Sequence, residues 1–101
     1  QRAPDQFRVT GTAMVEFTRG HEQASNDALH KLESEYAIGF AYQIAQVYAW
    51  RGQKDKAFEW LDRCFEIHDA GMVRLPYDPV MDSLRSDPRF AALVVKMGFP
   101  K

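Results

Sequence analysis

Apolar and small residues recur along the chain at helical spacing. Ala37, Ala41, Ile44, Ala45 and Tyr48 form one stripe with a period of about 3.6 residues. Gly52 stops that helix, since glycine accepts the left-handed conformation in which many helices end. Asp55 suits the N-terminus of the next helix, whose stripe is Ala57, Phe58, Leu61, Cys64 and Phe65. Lys56, Glu59, Asp62, Arg63 and Glu66 oppose it. With so short a connection, the two helices must pack antiparallel as a hairpin.

The earlier part of the chain repeats this plan. Laying residues 9–20 over 41–52 puts Ala13 on Ala45, Val15 on Val47, Arg19 on Arg51 and Gly20 on Gly52. The second helices align as Ala28 on Ala57 and Leu32 on Leu61, which predicts about three extra residues around positions 21–26. A period of about 30–34 residues built from two helices marks a helical repeat array.

After Ala70-Gly71 the pattern changes. Leu75-Pro76-Tyr77 reads as extended chain, because a residue before proline avoids the α region. Asp78-Pro79 and Asp87-Pro88 each place a capping aspartate before a proline at the first helical position. The first predicts a short helix through Leu84. The second predicts one with Phe90, Leu93, Val94 and Met97 on a face, ended by Gly98 and Pro100. No stretch alternates with period two, so the predicted fold is all-α.

Residues 41–67 resemble a tetratricopeptide repeat. Ile44, Ala45, Tyr48, Gly52, Ala57, Leu61 and Cys64 occupy the positions of that family's pattern; the small residues let the helices approach, and Tyr48 fills the layer between repeats. Cys64 departs from the usual alanine and Asp69 from the usual proline, and the first repeat carries Glu16 at the tyrosine position. The stretch from Gly52 to Leu61, followed by Asp78-Pro79 and Asp87-Pro88-Arg89-Phe90, resembles the C-terminal repeat region of bacterial signalling and regulatory proteins. In those proteins such repeats follow an adenylate cyclase, winged-helix or protein-kinase module. The resemblance implies a repeat at about residues 6–35, a second at about 38–71 and a capping segment at about 72–101. It also implies a protein-interaction or scaffolding role, with self-association as the alternative.

Composition narrows the rest. The chain has 101 residues, enough for one small domain, and 46% of them are hydrophobic. Thirteen basic against fourteen acidic residues leave no polycation for nucleic acid, and none is expected as a partner. No apolar run reaches the roughly 18 residues of a spanning helix, and no membrane partner is expected. A single cysteine, Cys64, fits a reducing cytoplasm, with a periplasmic tail of a membrane-bound regulator as the other possibility. The chain opens with Gln1 rather than Met, which reads as a piece of a longer protein.

Catalytic and metal chemistry find little support. His21, His30 and His68 are dispersed, and clustered ligands are what zinc requires. Cys64 sits on an apolar stripe as a small hydrophobe. Asp78, Asp82 and Asp87 lack the spacing and central glycine of a calcium loop. Arg85 and Arg89 are read as ties from the capping segment to acids on the last hairpin. No enzyme activity, cofactor or metal is expected. The candidate peptide-binding groove is Thr10, Met14 and Phe17 from the first repeat with Tyr42, Gln43, Gln46 and Trp50 from the second. Gln43 and Gln46 are expected to be exposed, and Trp50 to be covered by the capping helices. Phe7, Val9, Met14, Val15 and Phe17 are too many for one inward stripe, which predicts a homodimer through the first hairpin.

Overall fold

The computed structural model describes residues 5–35, 40–67 and 70–98. Along them run α1 (Asp5–Thr18), α2 (Glu22–Glu35), α3 (Ala41–Trp50), α4 (Lys54–Glu66), the 3-10 helices η1 (Ala70–Tyr77) and η2 (Pro79–Leu84), and α5 (Pro88–Lys96). No strand occurs among the described residues. Ala37, where the predicted stripe begins, and His68 and Asp69 lie outside them.

The two hairpin turns are built alike. In the first, the backbone N–H groups of Arg19, Gly20 and His21 donate to the carbonyls of Val15, Phe17 and Glu16. In the second, those of Arg51, Gly52 and Gln53 donate to Val47, Ala49 and Tyr48, the equivalent positions. Each turn needs one left-handed residue, supplied by Gly20 at φ 84° and Gly52 at φ 77°. The chain then re-enters a helix at Glu22 and at Lys54, so the two turns have the same length.

That equality corrects the predicted insertion. One spacing, the one from Gly20 to Gly52, carries both helices of the first hairpin onto the second. It sets Ser25 on Ala57, Ala28 on Trp60, Leu29 on Leu61 and Leu32 on Cys64, and all eight are buried. Ser25 hid this register because it is polar at a position that needs a small residue. Its hydroxyl donates to the Ala13 carbonyl across the hairpin at 2.6 Å, which satisfies it where water is excluded.

Helix α3 lies at the centre, against α1 and α2 on one side, α4 behind, and η1 and η2 on the other. Ala41, Tyr42, Ile44, Ala45, Gln46, Val47, Tyr48 and Ala49 are all buried, the pattern of a helix packed on most of its circumference. Tyr48 bridges the hairpins, donating its hydroxyl to the Glu33 carboxylate on α2. Burial, and then this bond, push its phenol well above the ordinary value. Cys64 is fully buried, as its stripe predicts.

The C-terminal segment differs from the sequence reading in one respect. Leu75, Pro76 and Tyr77 are not extended but belong to η1, which begins at Ala70, inside the predicted second repeat. Met72 and Leu75 stand three residues apart, the spacing that eclipses on a 3-10 helix, and both are buried. Their joint burial outweighs the weak preference set by Pro76. Asp78 and Asp87 cap η2 and α5 as predicted, accepting from the backbone N–H of Val80 and Arg89 at 3.0 and 2.9 Å. The predicted helix to Leu84 is present in 3-10 form.

Candidate functional site

Two faces of α3 carry the residues read as a groove, and they have different surroundings. Facing η2, Tyr42 is fully buried and donates to Asp78 Oδ2 at 2.7 Å. Gln46, 8% exposed, donates its side-chain amide to the same oxygen at 2.7 Å. Gln46 is therefore not an exposed groove residue. The segment that closes the stack needs hydrogen-bond partners for its capping aspartate, and Gln46 is one of them. Burial alone would raise the Asp78 carboxyl, but donation from Tyr42, Gln46 and Val80 N–H, with the charge of Arg74, holds it below the usual carboxylate value. The Tyr42 phenol moves the other way, raised by burial first and by its bond to Asp78 second. Ser83 adds a bond to the Ala49 carbonyl at 3.1 Å.

The other face is open. Gly11, Met14, Val15, Thr18 and Arg19 from the α1 side and Trp50 from α3 line an apolar groove of about 410 Å³, within the usual range for a ligand pocket, about 300–1,000 Å³. Trp50 is 47% exposed rather than covered, because the capping segment lies along Tyr42, Gln46 and Ala49 instead. Its indole N–H donates to Thr18 Oγ1 at 2.8 Å, and the Thr18 hydroxyl donates to the Met14 carbonyl at 3.0 Å. This relay leaves both polar groups satisfied and fixes the ring as one wall of the groove.

Of the predicted residues, the groove gathers Met14 and Trp50. Thr10 is buried, and Gln43 is half-buried and does not line it. Phe17 is half-buried beneath the Arg51 guanidinium, 5.1 Å from the ring centre. Gly11, Val15, Thr18 and Arg19 were missed by the sequence reading. A signal for three of them exists, since Gly11, Val15 and Thr18 recur at helical spacing on one face. Gly11 is also informative by its type. A Cβ there would meet nothing within 4 Å, so the glycine is not required by packing inside the fold.

The apolar residues of α1 read as a dimer surface are largely occupied within the chain. Val9 is buried, Met14 and Phe17 are half-buried, and Val15 alone of those with a described side chain is exposed. Helix α1 meets both α2 and α3, so it needs two apolar stripes.

Two further features bound the chemistry. A polar cleft of about 470 Å³ lies between α2 and the α3–α4 turn, lined by residues including Asp27, His30, Glu33 and Arg51. Its Glu33 is engaged by Tyr48, and the Arg51 Nη1 reaches Ser25 Oγ at 3.4 Å. Among the described residues, no group of three or more histidine, cysteine or acidic side chains converges on a point where a metal ion would sit. Arg89 ties the capping segment to α4 through Asp55 at 2.9 Å, whereas Arg85 stays within its own segment, bonding Asp82, Pro76 O and Asp78 O. The expected tie from Arg85 to the last hairpin is thus absent, because the turn between η1 and η2 engages its guanidinium first. Among the described residues, no helix is long and apolar enough to cross a membrane. No protein-family model, curated protein or solved structure matches this chain.

Proposed function

We propose that this chain is a protein-interaction module of tetratricopeptide-like build that seats a peptide segment in the groove between α1 and α3, as part of a bacterial signalling or regulatory protein. The observation that carries the reading is Trp50, a large aromatic half-exposed on an ordered helix and held in place by Thr18. Aromatic anchors of this kind dominate binding energy at protein interfaces. Support for the repeat build comes from the matching turns at Gly20 and Gly52 and the shared register of buried positions.

Gly11 supports the same reading. Glycine inside a helix costs about 0.5–1 kcal/mol relative to alanine, and here it keeps one wall of the groove flat. Peptides selected from a random display library against the chain should lose binding to Trp50→Ala and to Gly11→Leu, which fills the groove. Circular dichroism should show both variants folded. Peptides that bind the two variants as well as the original chain would refute the reading.

A further inference from the structure

We infer that the groove takes an apolar side chain flanked by acidic residues, and that Arg19 recognises those acids; the inference rests on the peptide-binding reading above. Arg19 is the charged member of the six residues lining the groove, and it is exposed. It has no ionic or hydrogen-bonding side-chain partner among the described residues. Its equivalent in the second hairpin, Arg51, is engaged within the fold, stacked on Phe17 and reaching Ser25. The same repeat position thus serves packing in one copy and lines the apolar groove in the other.

No acid among the described residues neutralises Arg19. Glu16 and Glu22 are equally near along the chain; Glu16 is held by His21 Nδ1 at 2.6 Å, and neither pairs with Arg19. The negative ends of α1 and α3 lie at this rim, but turn N–H groups and the Thr18 hydroxyl already satisfy many of their last carbonyls. The full positive charge beside an apolar floor is therefore the local electrostatic signature. A lysine or arginine in the ligand would be repelled there, while a carboxylate would gain a planar, two-pronged partner. The reach of an arginine side chain places that carboxylate within about one helical turn of the anchor residue.

The test is a paired selection. Random peptides of about 12 residues, long enough to lie along a groove, are selected separately against the original chain and against Arg19→Glu. The original chain should enrich a bulky apolar residue with Asp or Glu within about four positions, and Arg19→Glu should enrich Lys or Arg there instead. Peptides from the first selection should bind Arg19→Gln about two- to fivefold more weakly at low salt, a difference that shrinks as salt rises. Peptides that need Trp50 but show no acidic enrichment, and that ignore both Arg19 substitutions, would overturn the inference and leave the peptide-binding reading standing. Failure to select any Trp50-dependent peptide would overturn both.

Discussion

On the side of α3 that faces η2, Tyr42 and Gln46 are buried and both donate to Asp78, and Leu75, Met81 and Leu84 pack around them with no exposed surface. On the side that faces α1, Trp50 stands beside Gly11 and Val15 with half its surface free. One helix thus presents two finishes to its surroundings. The difference shows how one central helix can be closed on one side and left exposed on another. A polar pin inside an apolar contact closes one side, because the buried carboxylate is satisfied only when Tyr42, Gln46 and the Val80 N–H all meet it. The open side has its polar groups satisfied locally, by the Trp50–Thr18–Met14 relay.

The contrast can be broken first by truncation. Leu84→Ala should destabilise the chain by about 2–5 kcal/mol, since it opens a cavity against α3, while Val15→Ala should change stability by no more than about 0.5 kcal/mol. Denaturant titrations of the two variants check this. Similar losses for both would mean that the open side is packed after all.

Next comes the pin. Asp78→Ala should cost about 3 kcal/mol, by stranding the Tyr42 hydroxyl and the Gln46 amide and removing the cap of η2. The same carboxylate sets an acid limit. Asp78 and Asp87 both have folded pKa values below the ordinary carboxylate value of about 4. Asp87 is lowered to about 2, mainly by its bonds from the Arg89 side chain and backbone. Their stabilisation is therefore complete above the unfolded pKa and disappears as pH falls through the folded values. The melting temperature should hold down to about pH 5 and then fall, and less steeply in Asp78→Ala.

Two glycines sharpen the comparison further. A Cβ on Gly71 would lie 2.7 Å from the Tyr42 Cβ, so Gly71→Ala should destabilise by about 1–3 kcal/mol through crowding of the closed side. Gly11→Ala meets open space in the groove and should stabilise by about 0.5–1 kcal/mol through helix propensity. Opposite signs in thermal melts are the expected result, and a loss at Gly11 would place an unseen constraint on the open side.

Much of the architecture was legible because it is written in spacing. The stripe of Ala57, Leu61 and Cys64, the turn at Gly52 and the two Asp-Pro caps all follow local rules of helix chemistry. What escaped depends on contacts between distant residues. Ser25 is polar by type and buried by position, and only the Ala13 carbonyl across the hairpin reconciles the two. Met72 and Leu75 carry the signal of η1, but Pro76 obscures it. The groove was half legible for a related reason. Helical spacing places Tyr42, Gln46 and Trp50 on neighbouring strips of α3, and nothing local tells which strip the C-terminal segment covers. That choice is made by Asp78, more than thirty positions away from Tyr42 and Gln46.

The central claim is that Trp50 lies on the working surface and Trp60 does not. Fluorine NMR of the chain labelled with fluorotryptophan reads both rings at once, since Trp50 is 47% exposed and Trp60 is 6% exposed. The account predicts a solvent-isotope shift, on exchange from water to deuterium oxide, that is large for the Trp50 resonance and small for Trp60. Addition of a selected peptide should then move Trp50 and erase its solvent shift, leaving Trp60 in place. A Trp50 resonance blind to solvent, or a peptide that moves Trp60 alone, would contradict it.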